Sequence, residues 1–520
     1  MSLSEDRCGS DEAVLTVHPE SVQSDHQETP ASLGGKRRIL EVLLQLGLMR
    51  IAVSLSGLVR NKVMAVYLKP DGFGEFTQLV NIVEVVNVFV QFGMLVSLNR
   101  NTAAASGQAG RQRQLETANF VTISLAVGTL SLILPLLLSS AGNTVLTNLG
   151  VYPGFRQKMV LLALFLVAPI EALRVNYISF LSGLVDIKGI SSKRSLAVIA
   201  STAIAVPLIA VFGITGACIQ TAIASLFLAV LLGSRCKQQG YKPLALSWHK
   251  DAAKTLAYLG VASLLSGFAL NATDTVIRGY LILHWGVAEN GLYQAAMSLS
   301  GQVTAVILTS VGTYAVGTLC QTRDPKTLTL RIEELLRVVL PVATISLGFV
   351  GLFSRPLFSL LFSAQFHEGA RFLPLLLASN YVQAAAWVVG APLLGCGLVR
   401  TWTVIQLVGA AIRYVAVELL SPALGPYSVP AGLFAAMLFD LLVNIAFCRR
   451  PIGVYLRGRT MMAMIFGGVA VTTAASAGAF GTDWVTFLIS AALLCCVTVA
   501  MLWSETTAAF KRVMLQYRLV

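Results

Sequence analysis

Apolar runs separated by short polar or Gly/Pro-containing breaks occupy most of the chain. Most runs approach or exceed the ~20 residues that a helix needs to cross a hydrocarbon core of about 30 Å. The pattern therefore predicts an all-α integral membrane protein with about fourteen transmembrane helices. We place these helices near 39–66, 73–98, 117–139, 157–183, 195–212, 215–233, 255–282, 290–317, 332–354, 372–396, 401–420, 428–448, 461–480 and 484–503.

The composition supports the same class of protein. Of 520 residues, 56% are hydrophobic and 12% are charged, whereas an ordinary soluble domain has roughly 45–50% apolar and ~25% charged residues. Too few polar side chains are present to cover a soluble protein of this length. The loops between the predicted helices are short, which excludes an extramembrane catalytic domain.

The 38 Lys and Arg residues predict an orientation, because cations near short loops favour the cytoplasmic side. With the N-terminus inside, most of them fall in inside segments, and only Lys69, Arg355 and Arg371 fall in outer ones. Both termini are therefore expected in the cytoplasm. This distribution explains the net charge of +13 without a nucleic-acid partner.

A weak internal repeat predicts the domain organisation. The turn PDGFGEF at 70–76 resembles VAENGLY at 287–293, and Gly291 follows Gly74 by 217 positions, or six predicted helices. An even number of helices gives both copies the same orientation, so we expect two parallel-repeat six-helix bundles around a central cavity, plus two C-terminal helices. The expected division is an acidic disordered cytoplasmic tail (1–35), an N-terminal lobe (36–234), a cytoplasmic linker (235–254), a C-terminal lobe (255–450), and helices 13 and 14 with a cytoplasmic C-terminus (451–520).

The sequence offers no enzyme motif, so no catalytic residue, metal site or cofactor is expected. Gly35-Lys36 is the only Gly-Lys pair, and it lacks the other residues of a P-loop. The five histidines lie in tails or loops, which leaves no Ser-His-Asp or Cys-His arrangement to propose. The eight cysteines include no C-x-x-C pair and match no metal-ligand spacing.

Charged residues inside the predicted spans carry the functional signal, because charge at membrane depth is costly and usually faces a bundle interior or a watery cavity. The guanidinium fork matches phosphate oxygens, so arginines are the candidates for binding an anionic substrate. Carboxylates are the candidates for coupling to H⁺ or Na⁺. The substrate-binding candidates are Arg50, Arg174, Arg278 and Arg413, and the ion-coupling candidates are Glu84, Glu171, Asp274 and Asp440.

Each candidate also has a structural interpretation that the sequence leaves open. Glu171 with Arg174, and Asp274 with Arg278, share a helix face and could simply neutralise each other. Glu84 and Arg50 could form an ion pair between adjacent helices. Three further charges, Arg60, Lys62 and Glu418, are expected to extend to the outer headgroups rather than to bind a ligand.

Several short motifs between residues 37 and 450 resemble those of a known family. LKPDGFGEF at 68–76 is similar to the family turn LGPxxFGxY, and AENGLYQAA at 288–296 is similar to xxxGLYxxA. Asn271 to Asp274 followed by Gly279, LLFSAQF at 360–366 and LGCG at 394–397 are also similar to family segments, with departures at Ser363 and Cys396. The family is that of the polysaccharide exporters, or O-antigen-type lipid-linked oligosaccharide flippases, of the multidrug/oligosaccharidyl-lipid/polysaccharide (MOP) superfamily.

The resemblance implies a flippase of the bacterial inner membrane. Its substrate would be an undecaprenyl-diphosphate-linked oligosaccharide, a repeat unit for lipopolysaccharide or exopolysaccharide, moved from the cytoplasmic to the outer face by alternating access. Membrane lipids, a polysaccharide polymerase and a chain-length regulator would be its partners. The glycan, the coupling ion and the oligomeric state stay open.

Other functions remain as alternatives. Within the superfamily these are a multidrug exporter and a peptidoglycan-precursor flippase, although many cavity arginines would repel cationic drugs. Of different classes are a membrane-embedded glycosyltransferase or polysaccharide polymerase, which the short outer loops disfavour, and a non-transporting scaffold.

Overall fold

The computed structural model describes residues 33–319, 324–395, 398–449, 453–481 and 484–517, and all regular elements within these ranges are helical. Side chains of residues 33–55, 309–319 and 503–517 lie outside the description. The α-helices, in chain order, are α1 (Leu33–Gln91), α2 (Met94–Ala104), α3 (Gly107–Leu138), α4 (Ser140–Asn148), α5 (Phe155–Leu166), α6 (Ala168–Gly183), α7 (Ile187–Gln238), α8 (Lys250–Trp285), α9 (Val287–Leu319), α10 (Pro325–Leu352), α11 (Ser354–Leu361), α12 (Leu373–Gly395), α13 (Val399–Leu424), α14 (Ser428–Arg449), α15 (Gly458–Phe480) and α16 (Trp484–Tyr517). Two 3₁₀ helices, Ala364–Phe372 and Gly425–Tyr427, complete the described elements.

Ten helical segments in the described ranges are long and apolar enough to cross a membrane, so the chain is a multi-pass integral membrane protein. Three of them, Ser56–Ala104, Lys188–Gln238 and Arg400–Arg449, contain 49, 51 and 50 residues. A straight helix of that length would extend about 75 Å, more than twice the ~30 Å hydrocarbon core. Each of the three is therefore long enough for two crossings, while the number of fourteen stays a prediction.

Each of these long segments is broken by a residue with positive φ. Lys69 (φ 56°) precedes Pro70, and a residue before proline is disfavoured in the helical conformation. Gly213 (φ 56°) and Gly425 (φ 57°) adopt a backbone conformation that a residue with a Cβ rarely takes. The breaks lie between the predicted helices 1 and 2, 5 and 6, and 11 and 12.

Helix α12 lies at the centre of the C-terminal helices. It packs against α9, α10, α14 and α15. In an apolar 18-residue stretch of Ala364–Leu393, 78% of the residues are buried, compared with 17% in such a stretch of α3. Small residues allow close packing in this region, as where Gly351 of α10 meets the Cα of Ala475 in α15. Helix α3 instead leaves large apolar side chains exposed, including Leu132 and Leu138.

The two turns related by the repeat pack against each other. We call the end of the helices that carries Pro70 and Val287 the turn end. A Cβ on Gly74 would collide with the Val287 carbonyl oxygen, and a Cβ on Gly291 would collide with the Pro70 carbonyl oxygen. The contact is reciprocal because Val287 follows Pro70, as Gly291 follows Gly74, by 217 positions.

Side chains reinforce the turn-end contact between the first and second halves of the chain. Asn290 Nδ2 donates to the Gly74 carbonyl oxygen at 2.9 Å, and Lys62 Nζ donates to the Ser359 carbonyl oxygen at 2.8 Å. The Phe73 ring packs edge-on against Phe366, with centroids 5.8 Å apart. Lys62 thus bonds to the second half of the chain, whereas the sequence suggested that it reaches lipid headgroups.

The non-helical connection between the two halves lies within the predicted linker of 235–254. Helix α7 continues to Gln238 and α8 begins at Lys250, so this connection comprises residues 239–249, and the bounds of the linker as a division of the chain stay a prediction. At the N-terminus, α1 begins at Leu33, three residues inside the predicted tail of 1–35, and the remainder of that tail lies outside the described residues.

Candidate functional site: a polar cavity and two buried charge clusters

A polar cavity of about 400 Å³ lies between α1 and α9. Its lining follows helical spacing on both elements, so one face of each helix borders the cavity. Phe73, Phe76, Thr77, Val80 and Asn81 line it from the part of α1 after Pro70. The polar lining residues are Arg60, Asn61, Thr77, Asn81, Gln294, Ser298 and Gln302.

Two buried atoms of the lining residues lack protein partners. Arg60 Nε and Asn81 Nδ2 have no hydrogen-bond partner in the structure. A buried donor without an acceptor loses the solvation that it has in water. Because a guanidinium and several amides border the cavity, it is suited to a ligand that carries hydrogen-bond acceptors and negative charge.

Arg60 is not among the substrate-binding candidates that the sequence indicates. Its position near the end of the first predicted span predicts instead that its side chain extends to the outer headgroups. A signal was present in the spacing: Gln294, Ser298 and Gln302 recur every fourth residue of α9, which is the polar face that meets Arg60 across the cavity. The sequence does not show that α1 packs against α9, so it could not predict where this polar stripe lies.

The first charge cluster adjoins the cavity through Gln294. Asp274 of α8 accepts from Arg278 Nε at 2.6 Å and from Arg413 Nη2 of α13 at 2.6 Å. Arg278 Nη1 donates to Gln294 Oε1 at 2.6 Å, and Gln294 Nε2 donates to Ser298 Oγ at 3.2 Å. Two guanidinium groups share one carboxylate, so the cluster carries one formal positive charge in excess.

Burial makes this cluster electrostatically strong. Arg278 is 4% exposed and Arg413 is 8% exposed, and the Arg278 guanidinium lies 5.2 Å from the centroid of the buried Tyr293 ring. Charges interact more strongly when they are away from water. The positive excess beside Gln294 therefore favours an anion in the adjoining cavity.

In the second charge cluster, the described carboxylates outnumber the described guanidinium groups. Arg174 Nε donates to Glu171 Oε2 at 2.8 Å, and a second, shorter contact joins Arg174 Nη2 to Glu171 Oε1. Glu84 and Glu171 line a cavity of about 50 Å³ together with Asn87, Thr221 and Ser225. Among the described side chains here, two carboxylates meet one guanidinium, so the cavity is suited to a proton or a small cation.

Among the described side chains, the predicted site residues thus fall into two groups and one separate position. Asp274, Arg278 and Arg413 lie together, and so do Glu84, Glu171 and Arg174. Asp440 lies apart on α14, where it accepts from Asn444 Nδ2 at 3.3 Å. The Arg50 side chain lies outside the described residues. No group of three His, Cys, Asp or Glu residues that could hold a metal ion occurs in the described part of the chain.

The fold is that of the multi-pass membrane transporters of the MOP superfamily. Lipid II flippase MurJ in an inward closed conformation superimposes with a TM-score of 0.65 and 14% identity, over 91% of this chain and 100% of that one. An inward-facing multidrug resistance MATE family transporter gives a TM-score of 0.61 and 13% identity, over 78% of this chain and 98% of that one. An outward-facing multidrug resistance MATE family transporter gives a TM-score of 0.53 and 13% identity, over 78% of this chain and 95% of that one.

These comparisons confirm the superfamily fold that the sequence motifs predicted. The structural neighbours named here are transporters and not enzymes. No family model matches the chain, and no curated protein matches it either. At 13–14% identity the likeness shows the fold alone, so the exporter family and its substrate stay predictions.

Proposed function

We propose that this protein is a flippase that moves an undecaprenyl-diphosphate-linked oligosaccharide across the bacterial inner membrane. The observation that carries the proposal is a polar cavity of about 400 Å³ bordered by Arg60 and adjoined by a buried cluster with excess positive charge. A diphosphate needs cations, and a sugar needs hydrogen-bonding side chains such as Asn61, Asn81 and Gln302.

In this proposal the chain forms two lobes that cross the membrane fourteen times. The three interrupted segments each cross twice, and α9, which is 33 residues long, supplies the further crossing. Both termini lie in the cytoplasm, so the turn end faces outward. The packed turns at Gly74 and Gly291 then close the outer side, and the substrate enters the cavity from the cytoplasmic side.

Alternating access follows from the position of the cavity between helices of the two halves. The diphosphate enters near Arg60 and Gln294, the sugars occupy the polar space, and the isoprenoid tail stays in the bilayer. Separation of the turns at the outer end, with closure at the other end, releases the headgroup outside. A polymerase and a chain-length regulator would act on the product.

We further propose that Glu84 and Glu171 couple the cycle to H⁺ or Na⁺. Both carboxylates line the 50 Å³ cavity, where the only described guanidinium is paired with Glu171. Asp274 is less suited to this role because each of its oxygens already accepts from an arginine. Among the described residues, Asn444 is the one donor to Asp440, which remains a candidate.

A multidrug exporter is the second candidate, since MATE family transporters share the fold. The excess positive charge beside the cavity disfavours organic cations, because like charges repel. A peptidoglycan-precursor flippase would use the same anion-binding features, and the fold shared with MurJ gives that candidate equal structural support.

The test is a translocation assay in proteoliposomes. Purified protein is reconstituted with a fluorescent undecaprenyl-diphosphate oligosaccharide, and the fraction that an impermeant reagent can reach is followed with time. We expect the wild type to move the lipid, and Arg60→Gln to lose most of this activity. Lys326→Gln, which removes an exposed cation outside the cavity, is the matched control.

The outcomes separate the candidate functions. Equal translocation by wild type and Arg60→Gln would show that Arg60 does not bind the phosphate. Transport of an organic cation without movement of either lipid-linked glycan would favour the multidrug exporter. Movement of lipid II in preference to the oligosaccharide would favour the peptidoglycan-precursor flippase.

A further inference from the structure

The connection between α7 and α8 presents two different faces. We call residues 239–249 the strap. From Tyr241 onward its side chains alternate in exposure: odd-numbered positions lie against the protein, and even-numbered positions point away from it. The outward positions are Lys242, Leu244, Leu246 and Trp248, and Lys250 at the start of α8 continues the row.

Hydrogen bonds to α3 and α6 fix the inner face. Gln112 of α3 bonds to both backbone groups of Lys242, at 3.0 Å to its nitrogen and 3.2 Å to its oxygen. The Pro243 carbonyl accepts from Asn119 Nδ2 at 2.8 Å and from Tyr177 Oη at 3.1 Å. These bonds determine the direction in which the outer side chains point.

At the far end of the strap, His249 Nε2 lies 3.1 Å from Glu116 Oε2 on α3. The Tyr241 ring packs edge-on against Phe180 of α6, with centroids 4.8 Å apart. The strap is therefore held at both ends. Its orientation belongs to the fold and does not depend on what covers its outer face.

The outer face is apolar in the middle and basic at its ends. Leu244 is 73% exposed, Leu246 is 49% exposed and Trp248 is 56% exposed. Exposed Lys242 and Lys250 flank them, and Lys254 follows one turn later, against a single exposed carboxylate at Asp251. Three apolar side chains in a row between cations are typical of segments that lie in a membrane interface.

The apolar row is continuous with the surface that faces the bilayer. Trp248 packs edge-on against Phe120 of α3 with centroids 5.8 Å apart, and Phe120 is itself 39% exposed. Tyr258 of α8, which is 68% exposed, extends the surface along a candidate membrane span. The strap thus lies where α3 and α8 leave the hydrocarbon region.

We propose that the outer face of the strap lies in the headgroup layer of the adjoining leaflet and binds anionic phospholipid. The apolar side chains enter the boundary between headgroups and acyl chains, where Trp is favoured. Lys242, Lys250 and Lys254 attract the lipid phosphates. The connection between the two halves of the chain is thereby fastened to one leaflet.

Tryptophan quenching tests the depth of the strap. Wild type and Trp248→Phe are reconstituted in phosphatidylcholine vesicles containing phosphatidylglycerol, with bromine atoms placed either near the headgroup or deep in the acyl chain. The difference between the two proteins isolates Trp248 from the other tryptophans. We expect shallow bromines to quench this difference signal, and aqueous iodide to leave it nearly unchanged.

The opposite result would overturn the proposal. If iodide quenches the Trp248 signal while bromolipids do not, the outer face is in water and is available to a soluble partner instead. If neither quencher acts, protein covers Trp248 and no lipid is bound there.

A second experiment tests whether the lysines of the strap select anionic lipid. Lys242→Gln/Lys250→Gln is compared with Lys326→Gln/Arg459→Gln, which removes two exposed cations from the first turns of α10 and α15. After purification from mixed vesicles, the ratio of retained phosphatidylglycerol to phosphatidylcholine is measured by mass spectrometry. We expect the strap variant to lose about tenfold in selectivity, since each lysine near an anionic surface strengthens binding. Equal ratios in the two variants would refute anionic-lipid binding by the strap.

Discussion

Two buried arginines share one carboxylate in this protein, and the sharing determines how each substitution acts. Asp274 holds Arg278 and Arg413 together at 2.6 Å each. Removal of Asp274 leaves two buried cations that repel each other, whereas removal of Arg413 leaves an intact Asp274–Arg278 pair. The three residues are therefore unequal in their contribution to stability.

We predict that Asp274→Asn destabilises the protein more than Arg413→Gln does. Breaking a buried charged network by removing a partner costs about 3–5 kcal/mol, and Asp274→Asn should fall in that range. Thermal unfolding in detergent, followed by intrinsic fluorescence, shows which of the two variants loses more in Tm. An equal loss in Tm for both variants would mean that the carboxylate does not hold the two arginines together.

A second residue-scale prediction concerns pH. Asp186 precedes α7 and accepts from Arg235 Nε at 2.7 Å and from the Gly189 nitrogen at 3.1 Å. The hydrogen bond from Arg235 holds the pKa of Asp186 below its ordinary value. A lowered folded-state pKa adds stability above the unfolded pKa of about 3.9, and this stability is lost as pH falls through the folded pKa.

We therefore expect the Tm advantage of the wild type over Asp186→Asn to be constant from about pH 7 to 5 and to shrink below about pH 4. Asparagine is also a good N-cap, so this substitution removes the charge and keeps the cap. Thermal unfolding of both proteins across that range is the measurement. An advantage that persists unchanged at the acidic end would contradict the role of the ion pair.

Residue identity alone predicted part of this chemistry. The sequence indicated that Asp274 and Arg278 share a helix face, because i and i+4 positions always do. It did not indicate that Arg413, 139 positions away, would join them. It also did not indicate that Arg60 would face α9 across a cavity, since depth along a span does not specify which helix lies opposite.

At the scale of elements, hydropathy predicted the helical segments and the positions of their breaks. Lys69, Gly213 and Gly425 interrupt the longest helices between predicted spans. The ends of helices were less predictable: α3 begins at Gly107, ten residues before its predicted start. Polar residues such as Arg111 and Gln114 can extend a helix beyond the apolar run, and hydropathy does not detect them.

The turn-end contact gives an element-scale prediction. In Gly74→Ala the added methyl group would collide with the Val287 carbonyl oxygen, so the two turns must separate. Overpacking costs about 1–3 kcal/mol, which corresponds to about a 5- to 150-fold shift toward a state that is open at this end. Gly57→Ala is the matched control, since a Cβ there meets no atom within 4 Å.

The measurement uses Ser298→Cys, which places a thiol on the cavity wall. An impermeant maleimide is added to intact cells, and the labelling rate is compared in the Gly74→Ala and Gly57→Ala backgrounds. We expect faster labelling with Gly74→Ala, because in the proposed orientation the turn end faces outward and would open more often. Identical rates would show that the glycine contact does not limit access.

At the scale of the whole molecule, the two charge clusters lie in different halves of the chain and carry opposite charge. Among the described side chains, the cluster around Asp274 has a positive excess, and Glu84, Glu171 and Arg174 together have a negative one. In the proposed cycle the first attracts the anionic substrate and the second takes up a cation. Substitutions in the two clusters should therefore affect different steps.

We predict that Glu84→Gln reduces the dependence of translocation on an imposed H⁺ or Na⁺ gradient while substrate binding persists. The amide keeps the shape of the side chain but carries no charge, so no cation is drawn into the 50 Å³ cavity. Translocation is measured in proteoliposomes with and without each gradient, beside binding of the lipid-linked oligosaccharide. Asp440→Asn is the comparison, and loss of the gradient response there instead would assign coupling to α14.

The reciprocal glycine contact also bears on how the turn end responds to dissolved salt. Its closest approaches join backbone atoms of the two turns, and a neutral amide, Asn290, donates to the Gly74 carbonyl oxygen beside them. Dissolved ions screen interactions between charges and have little influence on close packing of neutral groups. The glycine contact itself should therefore hold almost equally well in dilute and in concentrated salt, while the charged side chains beside it, Lys62 and the Glu289–Arg371 pair, are the parts of the turn end that salt can weaken.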